Sequence, residues 1–207
     1  MNLIDLSQTI SEQTPVFPGD GPVFLEKRKS FKEDGCVSHR LTAGLHVATH
    51  IDLPMHFMDC SKTAVDYPVA GFAGRGVLLD VRGEDPIAMK PHYADIIRQG
   101  DIVLLHTGHD QYFTSNPEKY YSEYPSVCIN FARFLADRKI RMLGMDSPSP
   151  DHSPYDIHKI LFPAGIFMLE NLTNLMALEN AEHFEVIALP LKITAEASLV
   201  RAVALLP

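Results

Sequence analysis

Short apolar runs, cut by Gly and Pro, dominate this chain, and few segments carry a helical period. Gly76-Val-Leu-Leu-Asp-Val81 and Asp101-Ile-Val-Leu-Leu-His106 are apolar and partly β-branched, which predicts buried strands. Ile140–Met145 and Gly165–Leu169 predict two more, and Val186–Ile193 and Ala202–Leu206 are expected to close the sheet. Residues 3–10 predict a first strand with imperfect alternation, and residues 22–32 and 36–47 predict further strands. Pro15–Pro22 is a turn-rich loop, because Pro18-Gly19 and Asp20-Gly21 both favour turn geometry. Asn130–Lys139 places Phe131, Phe134 and Leu135 at helical spacing. Pro91–Arg98, stopped by Gly100, and Asp156–Leu161 predict short helices, and Leu172–Leu178 a helix or turn. The pattern is that of a strand-rich mixed α/β fold. No repeat, low-complexity tract or linker interrupts it, so a single domain over residues 1–207 is expected.

Composition narrows the function. The 207 residues are 46% hydrophobic, enough for one globular domain with a sizeable core. The formal charge of −8 disfavours nucleic acid and anionic membranes, whose phosphates need clustered Lys and Arg. Lys27-Arg28-Lys29 is short, with Glu33 and Asp34 close behind, and is expected to be a solvated strand or loop. The N-terminus lacks a basic segment followed by an apolar run, and no apolar stretch approaches the ~20 residues of a membrane helix. Cys36, Cys60 and Cys128 are widely spaced without a Cys-x-x-Cys pair, which predicts reduced thiols and a cytoplasmic protein.

The chemistry concentrates in one segment. His46, His50, Asp52 and His56 lie at even offsets from one another. An extended chain puts even offsets on one face. A helix would swing Asp52 and His56 to about 240° and 280° from His46, away from His50. Pro54 also opposes a helix. A strand running out into a turn at Leu53-Pro54, with His56 swung in by that turn, is therefore expected. Imidazole and carboxylate together suit Zn²⁺, Mn²⁺ or Fe²⁺. A site this poor in Cys leans towards catalysis rather than structure.

His46-Val-Ala-Thr-His50-Ile-Asp52-Leu-Pro54-Met-His56 resembles the signature of the cyclase-type metal-dependent hydrolase family, which includes bacterial kynurenine formamidase. The resemblance extends to Pro15-Val-Phe-Pro-Gly-Asp20, Gly100–Gly108, Gly144–Ser149 with Asp151, His158, Gly165–Leu172 and Ala195–Val203, and so to nearly the whole chain. It implies a compact β/β/α swivelling-type domain assembled as a homodimer or higher oligomer. It implies that His46, His50 and Asp52 bind a first metal, that Asp52 and Glu170 bridge two metals, and that His158 holds the second. Two Zn²⁺ ions are implied, with Mn²⁺ the alternative. His56 would be the proton donor and acceptor, and Phe17 would bind substrate. The implied reaction is attack of activated water on a small amide, an N-formyl aryl amide such as N-formylkynurenine, giving kynurenine and formate. Hydrolysis of a cyclic amide or lactone, and metal binding without turnover, are the alternatives.

This sequence departs from the family pattern at Ala48, where Gly is usual, and at Phe17, where the formamidase branch often has Trp. A methyl group at Ala48 is expected to crowd the backbone or oppose a positive φ. Phe17 keeps an aromatic face but lacks an indole N–H. His109 replaces an aromatic residue. Asp20 is expected to cap its turn, and His39, His92, His106, His152 and His183 to be ordinary polar positions. Ser149 lacks a nucleophile elbow.

Overall fold

The computed structural model describes residues 2–207. Its strands are β1 (Asn2–Asp5), β2 (Phe24–Lys29), β3 (Ser38–Thr42), β4 (His50–Asp52), β5 (Ala73–Asp80), β6 (Ile102–His106), β7 (Met142–Met145), β8 (Phe167–Glu170), β9 (Glu185–Ile187), β10 (Ala197–Leu199) and β11 (Val203–Leu206). The α-helices are α1 (Phe31–Asp34), α2 (Tyr93–Ile96), α3 (Pro117–Ser122), α4 (Ile129–Arg138) and α5 (Asp156–Leu161). Nine strands form one sheet in the order β1-β11-β9-β5-β6-β7-β8-β4-β10. β5, β6, β7 and β8 run parallel at its centre, and antiparallel strands extend it on both sides. β2 and β3 pair separately as a largely exposed ribbon.

The apolar character of β6, β7 and β8 reflects burial on both faces. Val103 and Leu105 of β6 and Met168 of β8 join Phe131, Ala132 and Leu135 of α4 and Ile157 and Leu161 of α5 in one core. The alternate residues Ile102, Leu104 and Leu169 face a second core with Leu6, Leu172, Leu175 and Phe184. Full burial of each such side chain contributes roughly 1.5–3 kcal/mol. Gly144 lets β7 sit under this second core, since a Cβ there would lie 2.5 Å from Leu104 and 3.1 Å from Leu172.

The predicted strands of the sheet centre and the helix over 130–139 are present, with ends shifted by up to three residues. Other expectations need correction. Residues 36–47 are strand only over β3, because the chain turns at Gly44-Leu45-His46 instead of continuing extended. The predicted strand over 22–32 gives way at Ser30, whose hydroxyl caps α1 through Glu33 N. The predicted strand over 186–193 is strand only to Ile187, and Leu172–Leu178 holds a 3₁₀ turn over Leu175–Leu178. α3 was not predicted, although Asn116 as cap with Pro117 at the first helical position is a start signal.

Gly76 on β5 is pressed against the Phe184 ring, which a Cβ would meet at 2.0 Å. Gly76→Ala is therefore expected to destabilise the fold by about 1–3 kcal/mol. Urea unfolding checks this as a lower midpoint at unchanged slope.

Candidate metal centre

β4 is three residues long and wholly buried, between β8 and β10. Its register places His50 opposite Glu170 and Asp52 opposite Met168, with Ile51 turned into the second core. His50 and Asp52, two residues apart, therefore share the face on which Glu170 emerges. α5 packs over this end of the sheet and brings in His158. The 3₁₀ turn Pro54–His56, opened by Pro54, swings His56 back over the same point, as the turn at Leu53-Pro54 predicted. His46 arrives differently from the expectation: it lies in the turn before β4 and not on a continuous strand. That turn carries Ala48, buried at φ 51°. The methyl group at Ala48 thus does not exclude the left-handed backbone, which costs an L-residue roughly 1–2 kcal/mol.

The side chains converge closely. His46 Nδ1 lies 2.8 Å from Asp52 Oδ1, and His50 Nε2 lies 3.3 Å from the same oxygen and 3.4 Å from Glu170 Oε2. His158 Nε2 is 3.6 Å from Glu170 Oε1, and His56 Nε2 is 3.8 Å from Asp52 Oδ2. Two groups have ligand atoms within 4.8 Å of one another: His46, His50 and Asp52, and Asp52, His158 and Glu170. Asp52 belongs to both, as a bridging carboxylate would, whereas Glu170 falls in the second only. His50 Nε2, Asp52 Oδ1 and Glu170 Oε1 are buried without an aligned hydrogen-bond partner. An orphaned buried polar atom costs ~1–3 kcal/mol, so three aimed at one place fit a cation. Asp151 adds a support that sequence reading left without a role. Its carboxylate lies 2.7 Å from His158 Nδ1 and accepts from Ile157 N at 2.6 Å, which turns His158 Nε2 towards Glu170.

The electrostatics separate His56 from the other imidazoles. Burial pushes His50 down, but the Asp52 and Glu170 carboxylates outweigh it and hold it up at about 10 in the metal-free chain. Burial likewise opposes His158, and the hydrogen bonds to Asp151 and Glu170 hold it up at about 9. Burial would raise Asp52, yet His50 and His46 keep it well below the usual carboxylate range. His56 is lowered, because burial there outweighs the pull of Asp52.

The cluster floors a cavity of about 240 Å³ with Phe17, Phe57, Tyr121 and Tyr155 among its lining residues. Phe17 meets Tyr121 edge-on at 5.6 Å, and Phe57 lies 4.9 Å from Tyr155. Asp20 also lines the cavity and accepts no cap bond, although its N–H bonds Phe17 O at 3.0 Å. Ser149 and Asn171 complete the polar lining. His109 stacks on Tyr120 at 5.1 Å, away from the cluster, and bonds its backbone carbonyl. Tyr121, Tyr155 and Asn171 were missed in sequence, because nothing local marks a residue that reaches the site from another element.

The Cyclase family model, described as "Putative cyclase", matches residues 4–152. The chain belongs to this family. The matched stretch holds His46, His50, Asp52 and His56 and ends before His158 and Glu170. Curated relatives run further: the kynurenine formamidase of Bacillus cytotoxicus is 32% identical over 207 residues, 97% of this chain and 95% of that protein. That of Bacillus cereus is 34% identical with the same coverage. In fold, the chain is similar to isatin hydrolase A from Labrenzia aggregata, with a TM-score of 0.86 at 23% identity over 99% of this chain and 93% of that one. The strand-rich α/β architecture is thus that of the cyclase family.

Metal binding should displace the protons that His50 and His158 hold near neutral pH. Calorimetric titration of the metal-free protein with Zn²⁺ at pH 7.5, in buffers of different ionisation heat, is expected to show release of at least about two protons, with a further contribution from His46, which is also raised. The release should fade, and affinity rise, as pH climbs through the 9–10 range of these groups. The same raised values stabilise the metal-free fold below about pH 6.5, and that contribution is lost as pH rises through 9–10. Zero release at pH 7.5 would contradict the assigned charge states.

Proposed function

We propose that this chain is a metal-dependent amide hydrolase that cleaves an N-formyl aryl amide such as N-formylkynurenine to kynurenine and formate. Full-length relatives named kynurenine formamidase support hydrolysis of an amide. The observation that carries the reading is the placement of His56, 3.8 Å from Asp52, beside a buried His/Asp/Glu cluster at the floor of an aromatic-walled cavity.

His46, His50 and Asp52 would hold one divalent cation, and Asp52, Glu170 and His158 a second. Zinc suits these donors, with manganese the alternative. When bound, such a cation supplies Lewis acidity, lowering the pKa of water towards ~7 and neutralising charge that develops on the carbonyl oxygen. Neutral His56 takes the proton from the attacking water as its oxygen bonds to the formyl carbon. It then returns that proton to the aryl nitrogen as the C–N bond breaks, releasing the free aniline and formic acid, which loses its proton to water as formate. Phe17, Phe57 and Tyr155 offer faces and edges to the aryl ring. The family resemblance favours a homodimer, which light scattering tests. Among the described residues, no helix is long and apolar enough to cross a membrane.

His56→Ala is expected to lower kcat for N-formylkynurenine by about 10²–10⁴-fold. Its metal content, read by elemental analysis, should stay at the wild-type level. His50→Ala is expected to lose metal as well as activity. Fully active, metal-loaded His56→Ala would remove the proton-shuttle role. A wild-type enzyme that opens cyclic amides or lactones but leaves N-formylkynurenine intact would reassign the substrate.

A further inference from the structure

Asn171 follows Glu170 directly and is one of the most heavily bonded side chains around the cluster. It is 2% exposed and holds φ 56°, a left-handed backbone that Asn tolerates better than most residues. Its Nδ2 donates to Ala48 O at 2.8 Å, and its Oδ1 accepts from the Tyr120 hydroxyl at 2.8 Å. Its backbone carbonyl accepts from Thr49 Oγ1 at 2.6 Å, and its N–H donates to Ser147 O at 3.1 Å. One residue thus ties the turn before β4 to the chain leaving β8 and β7.

The tie ends at a histidine. His50 Nδ1 lies 2.9 Å from Ala48 O, the carbonyl that Asn171 Nδ2 also bonds. A carbonyl only accepts, so Nδ1 must carry the hydrogen, and the neutral ring then presents its lone pair at Nε2. The amide orientation follows from the same logic, since Ala48 O requires the nitrogen of Asn171 and leaves Oδ1 for Tyr120. The 3.3 Å approach of Asn171 Nδ2 to His50 Nδ1 sets two donors side by side and is a contact only. His50 Nε2, freed by this arrangement, is the buried nitrogen without an aligned partner beside Asp52 and Glu170.

We infer that Asn171, itself held by Tyr120, is a positioning residue that clamps the left-handed Ala48 peptide so that its carbonyl fixes the tautomer and ring orientation of His50. This rests on His50 as a metal ligand, and is independent of which amide is cleaved. The clamp also accounts for how Ala48 is kept in a strained conformation: its carbonyl is pinned by two donors. Tyr120 is fully buried on α3, and burial pushes its phenol well above the ordinary value, so its hydroxyl remains a donor at any working pH.

The test uses the full chain stripped of metal and titrated with Co²⁺ and Zn²⁺, with affinity from chelator competition and geometry from the visible Co²⁺ spectrum. Asn171→Gly keeps access to the left-handed backbone and deletes the carboxamide. It is expected to weaken metal binding by about 10–100-fold and to shift the Co²⁺ bands. Tyr120→Phe removes one hydroxyl, and a smaller loss in the same direction is expected. The double variant should bind no more weakly than Asn171→Gly, because both act through one relay. A purely structural role would lower the melting temperature and leave the Co²⁺ spectrum unchanged. If Asn171→Gly does not fold, Tyr120→Phe decides. Wild-type affinity and spectrum in the folded variants would overturn the inference. A wild-type chain that binds neither ion would remove the metal-site reading, and this inference with it.

Discussion

Two carboxylates buried among imidazoles set the terms for the rest of this molecule. Asp52 and Glu170 are 2% and 5% exposed, and neither Lys nor Arg lines the cavity above them. An isolated buried carboxylate carries a desolvation penalty of several kcal/mol, so positive charge must reside nearby. In the metal-free chain it is supplied by protonated His50 and His158, whose Nδ1 atoms are engaged by Ala48 O and Asp151. A divalent cation held there would satisfy the same carboxylates and leave both imidazoles as neutral donors. Protons and metal therefore compete for one electrostatic demand, and the fold is built to sustain that demand. His56, only partly buried and lowered in pKa, stands outside the competition.

A site with this much stored polarity needs a rigid frame. The central strands supply it, because β6, β7 and β8 are buried along their whole length and packed on both faces. Pairing of β4 with β8 sets His50 against Glu170. A slip of one residue would send His50 and Asp52 into the apolar core and bring Ile51 out to the cluster, so the hydrophobic pattern and the ligand pattern enforce one register. Asn171 then fixes the His50 ring that the register delivers, through the carbonyl it bonds, and Asp151 fixes the His158 ring that α5 brings in, at its Nδ1.

Above this polar floor the cavity is aromatic. Phe17 comes from the N-terminal loop, Phe57 follows the turn that carries His56, Tyr121 lies on α3, and Tyr155 precedes α5. Four separate segments thus shape the wall of the cavity, while the residues that could hold a cation come from β4 and its flanking turns, β8 and α5. One of these wall residues also packs on the floor: Phe57 lies 4.5 Å from His56 and 4.7 Å from His158, so the aromatic wall and the polar cluster are not independent.

Much of this was legible in the sequence, for a local reason. The central strands are short apolar runs whose character survives any context, and α4 shows its helical spacing directly. His50, Asp52 and His56 lie close enough along the chain that extended geometry and Pro54 dictate their meeting. The sequence also determined family membership, since the motif and its flanking segments are contiguous. Only the tertiary structure decided the rest. His46 reaches the cluster through a turn that β-type spacing does not reveal, and Ala48 holds a backbone conformation its side chain disfavours. His158 and Glu170 stood on resemblance alone until sheet pairing and the packing of α5 brought them within reach of Asp52. Asn171 and Tyr120 act through hydrogen bonds spanning 51 positions between them and 123 positions from Asn171 to Ala48. Such partners share no local period, so the chain encodes them only through the fold that brings them together.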